Sequence, residues 1–91
     1  MDKIEARAVL AQHLARYRAR AYSDLVKLLG TNSVAEVRGP SGAEYQIEID
    51  WDSDKVNLRV MGAIDDGRLP GALLPICDSF ILAPDGRFVG E

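Results

Sequence analysis

Cysteine, histidine, proline and long apolar runs are all scarce in this 91-residue chain. Cys77 is the single cysteine, so no internal disulfide can form, and the sequence predicts a reduced, cytoplasmic setting. His13 is the single histidine; a zinc site built from this chain alone would need more nitrogen and sulfur donors than these two side chains. The longest apolar stretch, Leu69 to Cys77, is interrupted by Pro70, Gly71 and Pro75. It falls far short of the ~20 residues that span a bilayer, so no membrane association is expected. Met1-Asp2-Lys3-Ile4-Glu5 lacks the basic and apolar regions of a secretory signal.

What is present fits an ordinary folded domain: 47% apolar and 27% charged residues argue against disorder. Length predicts a single domain over 1–91, with a helical arm at 1–30 and a β-meander at 34–91. Charge divides the same way. Residues 1–30 carry six basic groups against three acids, and residues 31–91 carry five against eleven. A basic helix packed on an acidic sheet accounts for this split. A phosphate backbone would be repelled by the acidic part, so nucleic acid is not expected as a partner.

Asp2 followed by Glu5 matches a capping box with Asp as the N-cap. No proline or glycine interrupts Lys3 to Arg20, and Ala6, Leu10, Leu14, Tyr17 and Ala21 fall on one helical stripe. Glu5, Gln12, Arg16 and Arg20 fall on the opposite, solvent side, with His13 at its edge. A break is expected near Ala21 to Asp24, with Ser23 capping a short second helix that carries Leu25, Leu28 and Leu29 on one face. Gly30 ends it, and Thr31-Asn32-Ser33 reads as a linker.

Strands follow. Tyr45, Ile47, Ile49 and Trp51 alternate with Glu44, Gln46, Glu48 and Asp50, a strict period of two. Val56, Leu58 and Val60 repeat the pattern, and Asp52-Ser53-Asp54-Lys55 reads as the intervening turn. That turn predicts Trp51 opposite Val56, Ile49 opposite Leu58 and Glu48 opposite Arg59. Val34 to Arg38 is a shorter strand. Gly39-Pro40-Ser41-Gly42 and Ala83-Pro84-Asp85-Gly86 share one turn chemistry: proline early and glycine where φ must be positive. The first predicts a three-residue loop with Arg38 opposite Glu44 and Val37 opposite Tyr45. The second is expected to join Phe80-Ile81-Leu82 to Arg87-Phe88-Val89. Asp65-Asp66-Gly67 reads as a turn, and 69–76 as an apolar loop or an edge strand.

No catalytic constellation emerges. Ser41, Ser53 and Ser79 lack a nucleophile-elbow context, and a lone thiol in an apolar stretch such as Cys77 is expected to be buried and inert. Asp50-Trp51-Asp52-Ser53-Asp54 suggests a calcium loop, but Lys55 and Met61 stand where an EF-hand needs glycine and glutamate. Arg16, Arg18 and Arg20 point in different directions on a helix and form no continuous patch. Asp65 and Asp66 are the remaining weak candidates for a cation or ligand site. Leu69, Leu73, Leu74 and Ile76 are too many large apolar residues for an exposed loop, so they either fold over a sheet edge or contact a protein partner or second copy.

Leu14-Ala15-Arg16-Tyr17-Arg18, Glu44-Tyr45-Gln46-Ile47-Glu48, Ile64-Asp65-Asp66-Gly67, Ser79-Phe80-Ile81 and Pro84-Asp85-Gly86-Arg87-Phe88-Val89-Gly90-Glu91 together resemble a group of small uncharacterised bacterial proteins. In that group a helical N-terminus precedes a β-meander. This chain departs from it near residues 52–54, where the hairpin loop is shorter, and near Leu69 to Leu74. The resemblance implies a free-standing bacterial protein and carries no activity.

The sequence thus predicts an α+β fold, an N-terminal helix, continuous or kinked in two, packed on four or five mainly antiparallel strands. The helix stripe is expected on the sheet face made by Tyr45, Ile47, Ile49, Leu58 and Val60. The function expected is a non-enzymatic, cofactor-free module that binds a protein partner. The alternative is a small enzyme or ligand- or metal-binding protein with its site beside Asp65-Asp66.

Overall fold

A computed structural model describes residues 2–66 and 76–90, with Asp54 described through its backbone alone. It shows an N-terminal helix packed against a four-stranded antiparallel sheet, the α+β fold expected. Helix α1 (Lys3–Arg18) is followed by a single helical turn, α2 (Tyr22–Leu25), and a 3-10 turn, Val26–Leu28. Strands β1 (Asn32–Arg38), β2 (Glu44–Asp54), β3 (Asn57–Asp65) and β4 (Ile76–Leu82) lie side by side in chain order. No helix among the described residues is long and apolar enough to cross a membrane.

Alternation along the strands decides which face is covered. Tyr45, Ile47, Ile49 and Trp51 of β2, Leu58, Val60 and Ile64 of β3, and Phe80 and Leu82 of β4 all point to α1 and are buried. Ala6, Val9, Leu10 and Leu14 of α1 meet them, and Leu25 of α2 closes the core. Each fully buried leucine or isoleucine contributes about 1.5–3 kcal/mol relative to exposure. Gly62 lies beneath the helix; a Cβ there would sit 2.9 Å from Leu10 Cδ1 and 3.2 Å from both Ile49 Cδ1 and Leu14 Cδ2. The absence of a side chain is what lets α1 settle onto β3. The helix packs chiefly on β3 and β4, so the inner side of β1, with Ser33, Ala35 and Val37, is only half covered.

Several local expectations are corrected. Helix α1 stops at Arg18, so Ala21 leaves the stripe and is exposed. The second helix starts at Tyr22 with Ala21 as an N-cap that makes no side-chain bond, and Ser23 lies inside it. Asn32 and Ser33 belong to β1 rather than to a linker, because Asn32 pairs with Asp50 and Ser33 with Ile49.

The central hairpin has a different register. Trp51 faces Val60, Ile49 faces Gly62, and Arg59 faces Asp52 rather than Glu48. Strand β2 runs on to Asp54, and the turn is the two residues Lys55 and Val56, with Lys55 at φ 58°. Val56 is therefore 65% exposed instead of lying in the core. Positive φ at the first of two loop residues is the twist a tight hairpin requires, although glycine usually supplies it. The Tyr22 hydroxyl donates to the Val56 carbonyl at 2.6 Å, tying α2 to this loop.

The first hairpin matches expectation: Arg38 faces Glu44, Val37 faces Tyr45, and Gly42 has φ 90°. After Ala83-Pro84-Asp85-Gly86 the chain turns back as expected, but only a single bridge, Leu82 to Phe88, forms. No fifth strand follows among the described residues.

Candidate functional site

The face of the sheet turned away from α1 is uncovered by any described element. Its cross-strand rows follow from the register: Val34, Glu48, Ala63 and Cys77 in one, and Asn32, Asp50, Met61 and Ser79 in the next. Glu36, Glu44, Glu48, Asp50, Asp52 and Asp65 give this face six described carboxylates against two guanidiniums, Arg38 and Arg59. Both arginines are occupied. Arg38 pairs with Glu44 at 3.0 Å and Arg59 with Asp52 at 2.9 Å. The Arg59 guanidinium and the Ser53 amide hold the Asp52 carboxyl below the usual carboxylate range. Asn32 Nδ2 donates to Glu48 at 3.3 Å.

A shallow depression of about 490 Å³ lies across β3 and β4 on this face, lined by Met61, Ala63, Cys77 and Ser79 and walled by Glu48 and Asp50. Its floor is low because Ala63, Cys77 and Ser79, three of the outward positions of β3 and β4, carry small side chains beside Met61. Cys77 is exposed in it, contrary to the buried thiol expected: strand alternation turns Cys77 outward while Ile76 turns in. Cys77 and His13 therefore stand on opposite sides of the sheet and cannot act as a thiol–imidazole pair.

A second polar cluster joins the helix to the first hairpin. Asp2 Oδ1 accepts from the Ile4 and Glu5 amides, one half of the expected capping box. The Glu5 side chain does not complete it. Its carboxylate instead accepts from the Ser41 amide at 2.9 Å, the Ser41 hydroxyl at 2.8 Å and the Tyr45 hydroxyl at 2.5 Å. Three donors outweigh the single amide of Asp2. The Tyr45 and Ser41 bonds hold the Glu5 carboxyl below its ordinary value. The same contact, with burial, pushes the Tyr45 phenol up to about 12. Ser41 thus serves as a donor to a carboxylate that stays ionised at neutral pH.

The arginines singled out in the sequence are dispersed, as their spacing implied. The Arg18 guanidinium lies 5.0 Å from the Phe80 ring and 5.1 Å from the Phe88 ring, and Arg20 lies 5.4 Å from Tyr17. Tyr17 meets both His13 and Trp51 edge-on. Burial, with Arg16 nearby, lowers the His13 pKa.

Asp65 ends β3 opposite Gln46, and Asp66 follows it; both are half-buried. Asp66 shares a cleft of about 390 Å³ with Glu36, Val37, Arg38, Glu44, Tyr45 and Gln46. Among the described residues no three histidine, cysteine, aspartate or glutamate groups converge on a common point. Ile76 opens β4 opposite Ile64 and packs against the core. Leu69, Leu73 and Leu74, with Gly67 of the expected turn, lie outside the described residues. No family model, curated protein or solved structure matches the chain.

Proposed function

We propose that this chain acts as one domain, a non-catalytic module of a bacterial cytoplasm that binds a protein partner through the outer face of its sheet. The observation that carries this reading is the acidic, uncovered face with a small-residue depression at its centre. An antiparallel sheet with one face on a core and the other turned outward is a stable arrangement. Here the outward face carries an excess of one sign of charge around a cavity that would take an apolar side chain. Its complement is a basic segment carrying one large apolar residue, on the principle that opposed potentials and a filled central pocket set specificity. Leu69, Leu73, Leu74 and Ile76 remain proposed as a further contact for a partner or a second copy.

The test uses a synthetic lysine-rich amphipathic peptide and the full chain. Binding that weakens about tenfold in Glu48→Lys, Asp50→Lys and is blocked by alkylating Cys77 supports the outer face. Equal binding by the native and doubly substituted proteins overturns it.

The second reading is a small enzyme or ligand- or metal-binding protein with its site beside Asp65-Asp66. It is favoured by the cleft that Asp66 shares with Arg38, Glu44 and Tyr45. Calorimetric titration with magnesium, manganese and calcium tests it. Tight binding that disappears in Asp65→Asn, Asp66→Asn would place this reading first.

A further inference from the structure

The two edges of the sheet differ. Beside β4, the Val89 amide donates to the Ile81 carbonyl at 2.8 Å and Phe88 bridges Leu82, so the chain's own C-terminal segment covers one end of that edge. Beside β1 no described strand pairs. The Gly39 amide donates to the Ala43 carbonyl at 2.8 Å, which fixes the alternation along β1. Residues 33, 35 and 37 turn their amides to β2, and Asn32, Val34, Glu36 and Arg38 aim theirs outward. The strand holds no proline and no bulge, two of the devices that protect such an edge, and its charges are limited to Glu36 and Arg38. Val34 is 54% exposed on it.

We infer that β1 pairs with β1 of a second copy, antiparallel about a two-fold axis at Ala35, to form a continuous eight-stranded sheet. Ala35 is the midpoint of β1. Pairing about it opposes Val34 to Glu36 and Asn32 to Arg38 of the second copy. Those are the four residues whose amides point outward, so the hydrogen-bonding pairs fall where no described group bonds to the backbone. Across the axis the small Ala35 side chains meet. Other registers are worse. A centre at Glu36 sets two carboxylates directly opposite one another, which destabilises a strand pair. A centre at Val37 brings Val34 against Pro40, which has no amide to donate. A centre at Ser33 runs out of strand beyond Thr31. The Ala35 axis alone pairs all seven residues. Because it is perpendicular to the sheet, both α1 helices remain on one side. An isologous contact of this kind closes at two copies instead of propagating.

The register makes opposite predictions for two substitutions at one exposed position. Glutamate at 34 would face Glu36 of the second copy twice over, and lysine at 34 would face the same carboxylates favourably. Sedimentation of the native chain from micromolar to millimolar concentration is expected to show a monomer–dimer equilibrium. Val34→Glu should weaken it about tenfold, and Val34→Lys should leave it no weaker than native. Equal weakening by both variants would mean a purely apolar contact at Val34, and no response to either would mean a contact elsewhere; each outcome overturns the proposal, as does a native monomer throughout. The register has its own readout. In a Cys77→Ser background, Ala35→Cys should oxidise to a covalent dimer, since residues directly opposite at a non-hydrogen-bonded pair lie within disulfide reach. Val37→Cys, opposite Ser33, should not, and cross-linking of both or of neither rejects the Ala35 axis. This contact uses the β1 edge and not the Cys77 depression, so it and the partner-binding reading can fail separately.

Discussion

The two proline–glycine turns are the same object in two settings. In each, an amide before the proline bonds across the loop at 2.8 Å, Gly39 to Ala43 and Ala83 to Arg87, and the glycine amide reaches back at 2.9 Å, Gly42 to Gly39 and Gly86 to Ala83. Gly42 and Gly86 have φ 90° and 89°. Even the third-position side chains match: Ser41 Oγ accepts from the Ala43 amide at 3.3 Å, and Asp85 Oδ1 accepts from the Arg87 amide at 2.9 Å. The difference lies overhead. Glu5 of α1 sits on the first turn, and a Cβ at Gly39 would meet Glu5 Oε1 at 2.8 Å and the Tyr45 ring at 2.9 Å. Glycine is therefore required at 39, while its counterpart is Ala83. Ser41 suits a carboxylate neighbour because it can donate, whereas an aspartate like Asp85 could only repel it. Local sequence writes the turn, and what packs above it writes the exceptions.

The largest expected effect that would break this comparison is at Gly39. Gly39→Ala should destabilise by about 1–3 kcal/mol in denaturant unfolding, because the buried Tyr45 ring cannot yield as an exposed side chain would. Ala83→Gly should cost well under half of that. A cost at Gly39 no greater than at Ala83 would show that Glu5 and Tyr45 do not crowd the turn.

Next come the paired glycines. Gly42→Ala and Gly86→Ala should each cost about 1 kcal/mol, since open space surrounds both and only the left-handed backbone is penalised. A clearly larger cost at Gly42 would mean that the Glu5 clamp transmits strain from the turn to α1.

The clamp itself is read through pH. The Glu5 carboxyl lies below its ordinary 4.5 in the folded chain, because of its bonds from Tyr45 and Ser41. The stability it contributes is complete above that ordinary value and is lost as pH falls through the lowered folded one. The stability gap between the native chain and Glu5→Gln should therefore stay constant near neutrality and close below about pH 4.5. A gap independent of pH would show that the carboxylate's charge is immaterial.

The smallest effect is at Asp85. Asp85→Ser should change stability by less than about 0.5 kcal/mol, because serine accepts from the Arg87 amide as Ser41 accepts from Ala43. A larger loss would mean that the second turn depends on charge after all.

The same contrast explains what could be read in the sequence. The faces of β2 and β3 were legible from alternation, and so was the β1–β2 register, because a loop one residue longer would turn Val37 to the polar face. The β2–β3 register was not legible. Moving Trp51 from Val56 to Val60 is a shift of four residues, and any even shift preserves which side chains face the core. Only the turn could decide, and Lys55-Val56 lacks the glycine or asparagine that marks a two-residue hairpin. Asn32 and Ser33 looked like a linker because an edge strand tolerates polar residues. The link from Glu5 to Ser41 spans 36 positions, and a helical wheel places Glu5 towards solvent with no hint that a turn waits there. At the outer face, the acids of β2 were visible in sequence. The depression that Cys77 shares with Met61 required the β3–β4 register, which no local signal marks.

One further consequence concerns the order in which the chain is made. Strands β1 to β4 each pair with a neighbour in sequence, so the sheet can zip together as it appears. Helix α1 is synthesised before the strands, yet it packs chiefly on β3 and β4, and β4 ends at Leu82. At a translation rate of ~5–20 residues per second, the Leu10 and Leu14 stripe waits roughly 3–13 s for its floor. During that interval the ribosome displays a short basic helix with a bare apolar flank, the form of nascent segment for which chaperones compete.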